Sequence, residues 1–314
     1  SFARIEGLSL CGASYNLSGV AGVSYEYGGG VYINGALDLE LVSLIVSNNL
    51  LQASVNQYMT GGGLYALNSF GTMSHCLVRT NTVKLTAGSS SGYGYGAGMA
   101  LVNGMWTIRR TVIAENVANV ANYGGAAGAG LYVSGGTQTL QNVLIANNIC
   151  PVTSRPRTGD GVYDGGQVIF SNCTVAGNIF EGIRGNASTR IANSIVWGHQ
   201  NDITNINSEA QVAYSCFGDG EYNGTNGCLN VDPRFVDSTY YHLLSRSGYY
   251  ADGYFFGGTW EQGAGSSPLV DAGDPASPYD EEPDSNGSRV NMGAYGNTDV
   301  ASKTAERGTI FVTN

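Results

Sequence analysis

The stretch EYGGGVYINGALDLELVSLIVSNN, residues 26–49, joins a glycine cluster to a long aliphatic run and ends on paired asparagines. Turn formers crowd it too closely for a helix. Its apolar run is too continuous for a strand with one solvated face. The pattern then returns. Its glycine element reads GGGVY (28–32), GGGLY (61–65), GAGMA (96–100), GAGLY (128–132) and GDGVY (159–163). Downstream stand VSNN (46–49), VRTN (78–81), IAEN (113–116), IANN (145–148) and VAGN (175–178). Asn49, Asn81, Asn116, Asn148 and Asn178 follow one another at 32, 35, 32 and 30 residues, and the glycines keep nearly the same step. Self-similarity at such a period marks a repeat architecture.

Aligned on the asparagines, one column holds Leu44, Cys76, Thr111, Val143, Cys173 and Ser194. Two residues later comes Val46, Val78, Ile113, Ile145, Val175 and Val196. Residues two apart on a strand face the same side, so both columns predict an interior. Leu10 opens the series and the spacing tightens to 21 at Val196 and Phe217, which predicts about eight coils. One such unit cannot bury its own apolar face, so stacked neighbours must do it. Glycine suits a bend where β-carbons of adjacent coils would collide. Asparagine tolerates left-handed backbone at a corner, and its amide can bond along the stack. The reading is an all-β parallel β-helix with its coils in residues 1–236. Residues 237–314 form an irregular, aromatic-rich capping or covering segment that could lead to a further module or anchor. No unit carries a helical pattern, which excludes a leucine-rich solenoid.

The net charge is −10 with only 12% charged residues, and 47 glycines, 20 tyrosines and 7 prolines suit a turn-rich β protein. Nucleic acid is excluded as a partner, since its binding needs clustered Lys and Arg. No apolar run approaches the roughly 18 residues of a membrane span. With Ser1 first and no signal peptide, the chain is expected to be a processed product or a piece of something larger. Cys216 and Cys228 bracket the loop FGDGEYNGTNG and predict a disulfide. Cys76 and Cys173 sit in apolar strands and read as buried thiols, while Cys11 and Cys150 have no assigned state. An extracellular, oxidising setting is expected.

The repeats resemble the right-handed, single-stranded parallel β-helix proteins of bacterial surfaces, where G-G-G-[IVL]-Y and I-x-x-N elements alternate. The segments YSCFGDGEYNGTNGCLNVDPRFVD (214–237), YHLLSRSG (241–248), SPLVDAGDP (267–275) and RVNMGAYGNTDVASKT (289–304) run in the order found in the choice-of-anchor type. With the repeats, the resemblance covers nearly the whole chain. It implies an exported surface protein of the pectate-lyase-like superfamily, which holds adhesins, autotransporter-like passengers and polysaccharide-degrading enzymes.

The lyases of this fold pair Ca²⁺-binding carboxylates with an Arg or Lys base, and glycosidases need carboxylates a few ångströms apart in one groove. Acidic residues do not share columns here: Glu115 aligns with Asn48, Thr80, Asn147 and Gly177. The best local cluster is Arg155, Arg157, Asp160 and Asp164 in SRPRTGDGVYD (154–164). It could hold an acidic sugar, or it is a solvated loop closed by an Arg–Asp pair. His75, Arg110, Asn142, Asn172 and Asn193 form a column that is either a polar strip for sugar hydroxyls or simply a corner. Glu282, Asp284 and Asn286 alternate before Gly287 as in a Ca²⁺ loop, but the twelfth position is Gly293 where a bidentate Glu belongs. The expected reading is an acidic turn with no cofactor, and Ca²⁺ is the one alternative the sequence offers.

The loops between each asparagine and the next glycine element should share one edge of the coils. They carry Tyr58, Tyr93, Tyr95 and Tyr123, residues suited to binding glycans or proteins. Tyr32, Tyr65, Tyr132 and Tyr163 form a further column, read as stacking that pins the register. Between the interior columns, Ile45, Leu77, Val112, Leu144, Thr174 and Ile195 should point outward. Such a row needs a cover, either the tail with Tyr249, Tyr250, Tyr254, Phe255, Phe256 and Trp260 or another subunit. The expected function is a secreted or surface-displayed, non-catalytic protein for binding, adhesion or assembly. Its partner would be a polysaccharide, a cell-surface glycan or copies of itself, with filament formation among the outcomes. The competing class is a polysaccharide lyase or glycoside hydrolase acting on an acidic polysaccharide.

Overall fold

Val46, Val78, Ile113, Ile145 and Val175 lie in one internal file, each the parallel register partner of the next. Leu10 precedes the file and Val196 and Phe217 continue it. From Val46 to Phe217 every member is buried. Each such side chain contributes about 1.5–3 kcal/mol through burial, so the file forms a spine of the fold. The computed structural model describes residues 2–17, 24–54, 57–86, 92–120, 124–151 and 157–304.

The molecule is a right-handed parallel β-helix. The file runs through a 14-stranded sheet, and a full turn then crosses a four-stranded, a five-stranded and a seven-stranded sheet. The five-stranded sheet sets the count of full turns at about five, instead of the expected eight. Eight rungs do stack in the long sheet and the seven-stranded face continues to Asn201–Thr204, but the four- and five-stranded faces are lost after Arg157–Thr158. A shorter perimeter needs fewer residues, which is why the spacing drops to 21. Apart from the 3-10 turn Glu209–Gln211, the described residues form no helix, and none is long and apolar enough to cross a membrane.

Two corners flank the file, and both use left-handed backbone. At one stand Asn48, Thr80, Glu115 and Asn147, with φ of 54–58°. The expectation that the repeated Asn49, Asn81, Asn116 and Asn148 adopt this conformation is therefore corrected by one residue. At the other stand Ser43, His75, Arg110, Asn142, Asn172 and Asn193, with φ of 42–55°.

The outward aliphatic row is covered by the chain's own tail. Val112, Ala114, Leu144, Ala146 and Ala176 pack with Tyr241, Tyr250, Phe255, Tyr295 and Val300, and Ile195 packs with Leu243, Leu269 and Met292. Polar corner residues fasten this cover. Asn142 Nδ2 donates to the carbonyls of Ala294 and Gly296, Asn172 Nδ2 to that of Asn291, and Asn193 Nδ2 to Ser277 Oγ. The corner reading of this column thus holds for those three asparagines. The cover stops short of Ile45, which stays 40% exposed.

Cys216 and Cys228 are buried as separate thiols, so the expected disulfide is not formed. The residue that bridges back to Cys216 is Leu229, one place beyond Cys228. Alternation therefore sends the two sulfurs to opposite faces: Cys228 into the coil interior, Cys216 toward the tail. The Cys216 thiol donates to the Val231 carbonyl at 3.3 Å, and burial pushes its pKa up to about 11. Cys76 and Cys173 are buried free thiols, Cys150 is buried and Cys11 is exposed.

Candidate functional site

Two glycine columns build the corner between the five- and seven-stranded sheets, for different reasons. Gly28, Gly61, Gly96, Gly128 and Gly159 have φ of 56–76°, a region that glycine enters without strain. Two residues on, Gly30, Gly63, Gly98, Gly130 and Gly161 answer to crowding. A β-carbon on Gly98 would lie 2.6 Å from the Gly130 carbonyl oxygen and 2.7 Å from Asn116 Nδ2.

The amides they make room for form a continuous ladder. Asn49 Nδ2 donates to Asn81 Oδ1 at 2.9 Å, Asn81 to Asn116 at 3.0 Å, Asn116 to Asn148 at 2.9 Å and Asn148 to Asn178 at 3.0 Å. Each Nδ2 also donates to a main-chain carbonyl of the preceding coil, as Asn116 does to Val78. Each Oδ1 accepts the preceding coil's main-chain N–H, as Asn116 does from Asn81. The ladder ends on His199, whose Nε2 meets Asn178 Nδ2 at 3.3 Å while Nδ1 lies 2.7 Å from Asp202 Oδ1. Asn178 Nδ2 can only donate, so Nε2 is the acceptor and Nδ1–H donates to Asp202. The sequence spacing did not identify this histidine as the sixth member.

On the outer surface of this corner the tyrosines join. Tyr25, Tyr58 and Tyr93 stack at centroid separations of 4.9 and 5.1 Å. The series continues through Tyr95 at 5.9 Å, Tyr132 at 4.7 Å and Tyr163 at 5.2 Å. Tyr65 lies between Tyr27 and Tyr32 at 4.5 and 5.6 Å. The expected loop tyrosines and the register-pinning column are therefore one surface. Small residues make the merger fit: Thr60 and Ala127 flank Tyr95 in register, and Ala100 leaves the gap between Tyr65 and Tyr132. Tyr123 lies outside the described residues.

The rings are 14–26° from parallel, so within the stack they occupy one another's faces. Burial pushes the Tyr65 phenol up to about 12, with nearby tyrosines adding to the shift, and raises those of Tyr95 and Tyr132. Tyr25, Tyr27 and Tyr32 in the first coil are 60%, 38% and 51% exposed.

The acidic candidates are woven into the backbone. Asp164 is buried and accepts from Gly166 N–H at 2.9 Å, Val168 N–H at 3.0 Å and Thr189 Oγ1 at 2.7 Å. Asp160, also buried, accepts from Phe180 N–H at 3.3 Å. Arg155 and the Arg157 side chain lie outside the described residues. Glu181 accepts from Gly159 N–H at 2.6 Å, and Asp202 from the N–H groups of Gly218 and Asp219. Carboxylates held this way close corners.

Glu282 turns inward, accepting the N–H groups of Asn291 and Asn297, both at 2.8 Å. Burial pushes its carboxyl up to about 7, with Asp271 adding to the shift. Asn286 Oδ1 accepts from Ser288 N–H in a local turn. Among the described residues no group of three His, Cys, Asp or Glu side chains is placed to hold a metal. Where the tail cover stops, Ile45, Leu77, Val112 and Phe256 line an apolar cleft of about 490 Å³, with His75 and Arg110 also in its wall. Arg110 is paired with Glu281.

No family model, curated protein or solved structure matches the chain at a significant level.

Proposed function

We propose that this protein is an extracellular or cell-surface β-helix that acts without catalysis, by presenting its tyrosine corner to a glycan. The observation that carries this reading is the tyrosine ladder running across five coils, from Tyr25 to Tyr163. The phenol groups of the ladder can both donate and accept hydrogen bonds, as pairing with sugar hydroxyls needs. The exposed rings of Tyr25 and Tyr32 offer the apolar surface on which a pyranose ring packs. The resemblance to bacterial surface β-helices of the choice-of-anchor type supports the location. The roles of Asp164, Glu181 and Asp202 as acceptors for main-chain N–H groups speak for presentation over bond cleavage.

Calorimetric titration with neutral and acidic oligosaccharides tests the proposal. Binding by the native protein that weakens about tenfold in Tyr25→Ala and Tyr32→Ala supports it, a loss of about 1.4 kcal/mol. Binding indifferent to both changes contradicts it. Release of unsaturated uronates or new reducing ends from a polyuronate would favour the lyase or glycosidase class instead.

A further inference from the structure

The tyrosine ladder is also a row of oxidisable rings held in contact. Tyr25, Tyr58 and Tyr93 are register partners on three successive coils, and their rings stack at 4.9 and 5.1 Å, 21° and 19° from parallel. Tyr58 therefore has a phenol ring against each of its faces. Tyr95 adjoins Tyr93 at 5.9 Å and leads on to Tyr132 and Tyr163, so an electron lost in this row can be replaced from the next ring. Oxidation of a phenol also releases its proton. Tyr65 is 3% exposed and burial pushes its phenol up to about 12, which makes it a poor place to release one. Tyr58 and Tyr93 are only half-buried, in contact with water that can take the proton up.

We propose that Tyr58 is a site of oxidative coupling, joined by a carbon–carbon bond to a stacked neighbour, Tyr93 or Tyr25, by hydrogen peroxide acting through a haem peroxidase. Each of the two phenols gives up one electron and its hydroxyl proton. The unpaired electron is then shared with the ring carbons beside the oxygen, and two such carbons on facing rings bond. The hydrogens on those carbons move to the oxygens, which restores both phenols. Two protons and two electrons have left the pair, and they convert one hydrogen peroxide, with two further hydrogens' worth of charge balanced in this way, into two molecules of water. Contact between the rings makes the step intramolecular, which favours it over coupling between separate molecules. Tyr58 and Tyr93 stand 35 residues apart, so their bond closes a long loop and constrains the unfolded chain as a disulfide does. This inference does not rest on the glycan reading: coupling is scored at Tyr58, glycan binding at Tyr25 and Tyr32.

Peptide mapping by mass spectrometry decides it, on the 314-residue chain treated with hydrogen peroxide and a haem peroxidase. The fragment carrying Tyr58 should be recovered joined to that of Tyr93 or Tyr25, lighter by two hydrogens than the separate pair, from protein that runs as a monomer on a denaturing gel. Tyr15 is 50% exposed and belongs to no ring stack among the described residues, so it should couple far less. Unfolding the chain in urea before treatment should lower the ratio of Tyr58 product to Tyr15 product about tenfold, because the stack is what brings the rings together. Tyr58→Phe keeps a ring in the stack but has no phenol to oxidise. It should abolish the product while circular dichroism shows a native fold. Absence of the Tyr58 product from the native chain overturns the proposal. So does a ratio unchanged by urea, or a yield that follows exposure, with Tyr15 joined across copies more often than Tyr58 within its chain.

Discussion

Gly98 and Asn116 occupy one space: a β-carbon on the glycine would stand 2.7 Å from the amide nitrogen of the asparagine. The same relation recurs at Gly30 with Asn49, Gly63 with Asn81, Gly130 with Asn148 and Gly161 with Asn178. This is why the two motifs travel together. The ladder amide needs a neighbour without a side chain, and a coil that loses either residue disturbs both.

Gly98→Ala should therefore destabilise the protein by about 1–3 kcal/mol, the range for overpacking a fixed core. Gly35 makes a suitable control. Its φ is 69°, but a β-carbon there meets nothing within 4 Å, so Gly35→Ala should cost only backbone strain, about 1 kcal/mol. Urea denaturation of the two variants gives the comparison. Equal losses would mean that crowding at the amide is not what selects glycine.

Asn116→Asp keeps size and shape but removes the donor to Asn148 Oδ1 and to the Val78 carbonyl. The new carboxylate would face acceptors in a buried ladder, and a loss of about 3 kcal/mol or more follows from stranding such groups. His199→Asn, by contrast, can continue the amide series at its end and should be the milder change. Thermal melts of both variants check the order.

Glu282 and His242 should give stability opposite pH slopes. The Glu282 carboxyl ionises near 4.5 in the unfolded chain and at about 7 when folded, so its stabilising effect is full below pH 4.5 and is lost as pH rises to 7. His242 lies stacked on Tyr295 with Nε2 2.9 Å from the Gly253 carbonyl, and burial pushes its pKa down to about 4 from 6.5. Its contribution is full above pH 6.5 and lost as pH falls toward 4. Each effect amounts to roughly 3 kcal/mol, and in the native chain they largely offset. Glu282→Gln retains an acceptor for Asn291 and Asn297 and should raise stability at pH 7, leaving a curve that climbs from pH 4 to 6.5. A curve unchanged by the substitution would contradict the burial account.

Ala100→Tyr tests the interlock of the tyrosine columns. The added ring would extend Tyr65 to Tyr132 in register but enter space that Tyr95 fills. The variant should lose about 1–3 kcal/mol by overpacking, and the double variant with Tyr95→Ala should recover much of it. Additive losses in the double variant would show that the two positions do not share space.

The spine was legible because Val46, Val78, Ile113, Ile145 and Val175 repeat in a period that any stacked strand must show. The amide ladder was legible for the same reason. The left-handed corner was misplaced by one residue because Asn48 and Asn49 are both asparagine, and only the ladder geometry separates their tasks. Thr80 and Glu115 hold the corner position in later coils, where neighbours over-determine the backbone and override local preference. The stacking of Tyr95 on Tyr132 joins residues from two sheets across a glycine bend, so column alignment kept them apart. Cys216 and Cys228 misled because spacing is silent about which face each sulfur takes. The tail's cover followed from an outward row of aliphatics, yet Tyr241, Met292 and Tyr295 within it carry no periodic signal.

Methyl-resolved nuclear Overhauser spectroscopy on Val- and Ile-labelled protein tests the stacked-rung claim most directly. The account predicts an unbroken walk from Val46 to Val78, Ile113, Ile145 and Val175, each residue seeing the one before and the one after. A spectrum in which Val78 sees neither Val46 nor Ile113 would contradict it.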